Sequence, residues 1–195
     1  MGKRGRKPQH TLDAILDAAL AVVESKGLRA LSMSELARQL QTSVSGLYRY
    51  VDNLEHLFVA LQIRSIEMYR VGLEQTLEEP LPQEFERAGA PTAALAQLVK
   101  SFRHYSEHAK RHPANHRLLS VLTSEPSVIL SDEAARTVDV TLARVLDIST
   151  TLLGAARNAG ALSEGDDQQR TYMLWAALHG VAQFRKWPLP WSRSC

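Results

Sequence analysis

Arg49 stands in a run of residues whose types suit one chemistry: Ser43, Ser45, Gly46, Tyr48, Arg49 and Tyr50 lie almost side by side. A guanidinium offers paired N–H donors that match the acceptor edge of guanine, a contact worth roughly 1–3 kcal/mol of base discrimination. The hydroxyls of Tyr48 and Tyr50 suit phosphate oxygens, and Ser43 can bond a phosphate beside a helix-capping role. Gly46 costs about 1 kcal/mol relative to alanine inside a helix. A bare backbone that lets a duplex come close would offset that cost. Upstream, Lys3, Arg4, Arg6 and Lys7 form a basic arm with no acidic residue. Such an arm can enter a minor groove beside a helix that reads the major groove. Each feature also has a plainer reading: tyrosines packing a small core, a solvated arginine, an ordinary basic terminus.

These side chains can act together only on a short helix that is anchored behind and bare in front. The sequence predicts one. A first helix runs from about Leu12 to Lys26, capped by Thr11 and ended by Gly27 in a left-handed conformation. Ser32 and Glu35 form a capping-box pattern for a second helix, with Leu31 and Leu36 as its hydrophobic staple, ending near Leu40. Ser43 then caps a short helix over Val44 to Tyr50. Its Val44 and Leu47, with Val51, point back toward Leu36 and Leu40. Asp52 or Asn53 caps a long fourth helix, about Leu54 to Leu77. Residues 80–91 read as a loop. A fifth helix spans about Thr92 to His112 and stops at Pro113. A short helix follows through Leu118, Leu119 and Leu122 to Pro126. Two long helices, about Asp132 to Ala159 and Asp167 to Trp187, flank Gly160 and Gly165, with Asp166 and Gln169 shaping the last entry. The expected fold is all-α with about nine helices. An amino-terminal three-helix domain with a helix-turn-helix occupies residues 1–52, a helical domain 53–187 and a tail 188–195.

Charge is distributed unevenly. Residues 1–52 carry eight Lys/Arg against five Asp/Glu, and the remainder fifteen against sixteen. The basic excess therefore sits with the candidate DNA-contacting part, as a phosphate surface requires. The single cysteine, Cys195, is the last residue, so no intrachain disulfide forms. The N-terminus has no apolar leader-like stretch, and no apolar run nears the ~18–20 residues that cross a bilayer. A cytoplasmic protein with no membrane association is expected. No nucleophile–base constellation, G-x-S-x-G or glycine-rich phosphate loop is present, so neither an enzyme nor a cofactor is expected.

The segment LARQLQTSVSGLYRYVDNLEHL resembles the signature of TetR-family transcriptional regulators, continuously from about Thr11 to Leu61. Near the C-terminus, LWAALHGVAQF is similar to the family's tryptophan-to-His-Gly stretch. The resemblance implies a repressor that leaves DNA when a small molecule enters an effector-binding and dimerising domain, here residues 53–187. Two positions depart from the family pattern. Gln41 replaces the usual turn glycine and must adopt or avoid a left-handed conformation at some cost. Leu54 replaces a common lysine, so its phosphate contact is not carried over.

From Tyr172 to Val181 only His179 is clearly polar, and a helix apolar on every side needs burial on every side. Pairing with a second copy provides that. Leu142, Leu153, Trp175, Ala177, Gly180 and Phe184 are expected at the interface, beside Val138, Leu146 and Ala156. The expected partners are a near-palindromic double-stranded operator, a second subunit and a small-molecule effector. Met68, Phe102, Tyr105 and Met173 are candidate pocket residues. His104, His108, His112 and His116 recur at ligand spacing, but the stripe Leu95, Leu98, Val99, Phe102 and Ala109 puts them on a solvated face. No metal site is expected. A competing reading is a helical small-molecule-binding or enzymatic protein whose N-terminal helices are structural only.

Overall fold

The computed structural model describes residues 11–124 and 130–184, without the side chains of 120–124 and 183–184. Nine α-helices and one 3-10 turn, with no strand, make up the described residues. They are α1 Leu12–Lys26, α2 Met33–Gln39, α3 Val44–Leu47, α4 Leu54–Glu78, α5 Gln83–Arg87, α6 Ala90–Arg111, α7 Pro113–Ser124, α8 Asp132–Asn158 and α9 Asp167–Phe184. The last expected turn, through Trp187, and the tail lie outside the described residues.

Local chemistry sets most of these ends. Thr11 accepts from the Ala14 amide at 3.2 Å, Asn53 from His56 at 2.8 Å and Ser131 from Ala134 at 3.3 Å. Asp166 accepts from the Gln168 and Gln169 amides at 2.9 and 3.0 Å. Each satisfies an amide that the first helical turn leaves without a partner. Gly27 ends α1 with φ +83° and ψ +167°. That is a glycine region, but not the expected left-handed helical one, and it leads straight into the 3-10 turn Leu28–Ala30. The expected loop over residues 80–91 instead contains α5 and the start of α6. Pro82 opens α5 and Pro91 sits in the first turn of α6, positions where a missing N–H costs nothing.

α4 positions everything else. It packs against α1, α6, α7 and α8, and its buried residues recur at helical spacing: Leu57, Leu61, Ser65, Tyr69 and Leu73 among them. One buried cluster runs from Ile15 and Leu36 through Leu57 and Tyr69 to Val145 and Trp175. The apolar interior is therefore continuous across Asp52. A smaller cluster at the far end joins Leu98, Leu153 and Ala156. Among the described residues no helix is long and apolar enough to cross a membrane.

Candidate nucleic-acid interface

Ser32 caps α2, its hydroxyl accepting from the Glu35 amide at 3.2 Å. The expected reciprocal arm of that capping box is taken elsewhere. Glu35 receives Arg38 as a two-toothed fork at 3.0 and 2.6 Å and Lys26 at 2.6 Å. Arg38 first and Lys26 second hold its carboxyl down to about 2. Both cations are thereby occupied within the chain. Sequence reasoning missed this clamp because Lys26 and Glu35 belong to different helices.

The turn after α2 resolves the question raised by Gln41, whose φ is +51°. The Gln41 amide bonds the Arg38 carbonyl at 3.3 Å and the Thr42 amide reaches the Ala37 carbonyl at 2.9 Å. This is the Schellman arrangement that normally places glycine at Gln41's position. The chain accepts a left-handed glutamine at a cost of about 1–2 kcal/mol, and the turn geometry survives.

α3 is shorter than expected. Regular helix covers only Val44–Leu47, and Tyr48 to Tyr50 continue as a turn. Ser43 caps it, accepting from the Gly46 amide at 3.1 Å, with the Ser45 hydroxyl 3.0 Å away. Leu47 and Val51 are buried, and Val44 lies partly buried against the same core. That anchoring leaves Ser45, Tyr48 and Arg49 exposed on the front. Arg49 makes no hydrogen bond or ion pair with any described residue, so its fork is free. Tyr50 differs from Tyr48: it packs partly into the core, and only its edge is available. Gly46 has a reason inside the chain. A Cβ there would lie 2.9 Å from Thr42 Oγ1 and 3.3 Å from Ser43 Oγ, so glycine leaves these two hydroxyls where they are. Lys3, Arg4, Arg6 and Lys7 lie outside the described residues.

Residues 15–61, the stretch that forms this surface, match the family model of bacterial regulatory proteins, tetR family. The HTH-type transcriptional regulator RutR of Escherichia coli (strain K12) is 25% identical over 183 residues, 94% of this chain and 79% of RutR. Residues 15–61 thus resemble the DNA-binding domain of TetR-family transcriptional regulators. The HTH-type transcriptional repressor DrrR1 of Streptomyces coeruleorubidus is 46% identical over 48 residues, 25% of this chain and 18% of DrrR1. AibR, solved in complex with isovaleryl coenzyme A and operator DNA, shares the fold with a TM-score of 0.68 at 18% identity, over 92% of this chain and 88% of that one.

Elsewhere in the chain the four candidate pocket residues do not converge. Met68 lines an open groove of about 970 Å³ between α4 and α6. Phe102 lines an almost closed void of about 20 Å³. Tyr105 lines a third space of about 570 Å³ between α6, α7 and α9. Met173 is 66% exposed on the outer side of α9.

The histidines overturn the expected solvated face. On α6 the buried residues are Leu98, Ser101, Tyr105 and His108, while Leu95 and Val99 are exposed. The histidine side, with Tyr105, faces α4, because α4 offers rings and a gap. Tyr69 meets His104 at a tilt and His108 edge-on, with ring centres 5.3 and 5.1 Å apart. Gly72 leaves room for His104, whose Cε1 would stand 3.0 Å from any added Cβ. Burial, then the neighbouring His112, His104 and His116, pushes His108 down to about 4. Among the described residues no three His, Cys, Asp or Glu side chains are arranged to hold a metal ion.

Several expected interface residues belong to the chain's own core. Val138, Leu153 and Ala156 are buried within the chain. Trp175 is covered by Tyr69, Tyr105 and His179, the last with ring centres 4.5 Å apart. Leu142 and Leu146 pack partly against the core. α9 is thus two-sided, with Thr171, Trp175 and His179 inward and Tyr172, Met173, Ala176, Ala177 and Val181 outward. Gly180 has open space where a Cβ would be. The Phe184 side chain lies outside the described residues.

Proposed function

We propose that the protein is a repressor that binds a near-palindromic operator as a homodimer and leaves it when a small molecule binds the domain after Asp52. The observation that carries this is the front of α3 and the turn after it: Ser45, Tyr48 and Arg49 exposed, Arg49 without a partner among the described residues, and Leu47 and Val51 locked behind them. A guanidinium held there on a fixed turn suits a guanine edge, and the Tyr48 hydroxyl a phosphate. The basic arm, Lys3, Arg4, Arg6 and Lys7, adds phosphate or minor-groove contact.

Dimerisation rests on the outward side of α9. Met173, Ala176, Ala177, Gly180 and Val181 recur at helical spacing as a surface of apolar and small residues, two of them more than 60% exposed. A second α9 can lie closely on such a surface, and a two-fold axis there sets two α3 turns on half-sites one or more helical turns apart. AibR, solved in complex with isovaleryl coenzyme A and operator DNA, and the transcriptional repressor DrrR1 support a ligand-responsive repressor. A ligand that favours the DNA-incompetent arrangement by 1–3 kcal/mol weakens operator binding about 5–150-fold. The protein is expected in the cytoplasm, without catalytic activity of its own.

Selection from a randomised duplex library tests the reading, followed by footprinting and a reporter carrying the selected site. A repressor yields a two-fold symmetric consensus and lower reporter output. An asymmetric or absent consensus would refute it.

A further inference from the structure

The space between α6, α7 and α9, about 570 Å³, has a composition that the other cavities lack. Ala109, Leu178 and Ala182 give it an apolar wall. At its floor the Tyr105 hydroxyl and His116 Nε2 are 2.8 Å apart. Lys110 and Arg117 supply two cations, and no carboxylate among the described residues lines it. The larger α4–α6 groove differs. Arg64, Lys100, Arg103 and Arg111 are set there against Glu67, Glu79 and Glu107, and Arg111 already pairs with Glu107 at 2.9 Å.

Arg117 is the informative member. It is half-buried, and no carboxylate among the described residues pairs with it. Its Nη1 instead donates at 3.1 Å to the carbonyl of Val23, in the last turn of α1. That carbonyl already receives the Gly27 amide at 3.1 Å. A neutral carbonyl shared between two donors holds a guanidinium more weakly than an anion does, because charge-assisted forks are shorter and stronger.

We propose that this cleft binds an amphipathic anion, its carboxylate or phosphate head on Lys110 and Arg117 and its apolar body along Ala109, Leu178 and Ala182. Binding draws Arg117 off the Val23 carbonyl and so loosens the end of α1 on which the DNA-binding bundle is built. The inference rests on the ligand-responsive reading above and gives it a site, a ligand class and a connection to α1.

Calorimetry on the full-length protein tests it, with decanoate and decyl phosphate as probes below their micellar concentrations and decanol as the uncharged control. At least one anion binds, and decanol binds at least about tenfold more weakly. The Lys110→Met/Arg117→Met double variant loses at least about tenfold in affinity for that anion, whereas Arg103→Met in the other groove loses none. Binding of only one anion identifies the head group. Absence of binding by either anion, equal binding of decanol, or full affinity in the double variant overturns the site. Hydrogen exchange provides the second readout: amides of residues 12–27 exchange faster with ligand in the wild type and not in Arg117→Met. Unchanged exchange overturns the connection to α1. A protein that selects an operator yet ignores both anions refutes this cleft alone. One that binds an anion but no duplex refutes the repressor reading instead.

Discussion

The Thr42 amide reaches back over Gln41 to the Ala37 carbonyl at 2.9 Å, and this bond sets the angle between α2 and α3. The turn therefore keeps its geometry with a side chain in a backbone region that favours glycine. Replacing exposed Gln41 by glycine relieves the strain without removing a packed group. Gln41→Gly is expected to stabilise the fold by about 1 kcal/mol, seen as a melting temperature raised by roughly 2–4 °C. A lower melting temperature would show that the glutamine is not strained.

Arg49 is a free cation on the front of the reading turn, whereas Lys26 and Arg38 are held by Glu35. Arg49→Ala should cost 1–3 kcal/mol of discrimination at one position of the selected duplex, about 5–150-fold, with an unchanged melting temperature. Fluorescence anisotropy on matched and mismatched duplexes checks this. Equal affinity for both duplexes in the wild type would refute the assignment.

The outward side of α9 makes a claim about assembly. Ala177→Glu places a charge in the middle of that surface, where burying it without a partner is costly. Sedimentation velocity should show a dimer for the wild type and a monomer for the variant, with helical content unchanged. Persistence of the dimer in the variant would move the interface elsewhere.

Buried His108 gives stability a pH dependence. Its folded-state value, about 4, lies below the usual value of 6.5, so between those limits the unfolded chain binds more protons. Stability is therefore intact above about pH 6.5 and falls as the pH drops toward 4. Burial lowers His104 and His179 in the same direction. Scanning calorimetry should show melting at pH 5 at least ~3 °C below that at pH 7.5. His108→Leu should narrow the gap, and an equal gap in that variant would assign the effect to other groups.

Much of the frame is legible in the residues, because caps and breakers act locally. Thr11, Ser32, Ser43, Asn53 and Asp166 each take the amides their spacing predicts. Which side of a helix faces inward is not local. α6 carries both an apolar stripe and a histidine stripe, and the choice is made by Tyr69 and Gly72 on a helix far away in sequence. The same holds for α9, where a nearly uniform apolar run hides a division that only Tyr69 and Tyr105 reveal. Lys110 and Arg117 escaped notice because they read as ordinary surface cations on either side of Pro113. The one available signal was a run with Lys110 and Arg111 before Pro113, Arg117 after it and no acidic residue between them.

The 25 unbroken residues of α4 make a rod about 37 Å long that begins directly behind the reading turn. Tyr69, wedged among His104, His108, Tyr105 and Trp175, acts as its fulcrum. A rotation of about 8° about Tyr69 sweeps the near end, about 22 Å away, through about 3 Å, close to the 3.4 Å rise of one base pair. A displacement too small to disturb the interior would thus be enough to put the two subunits of the proposed dimer out of step with a duplex.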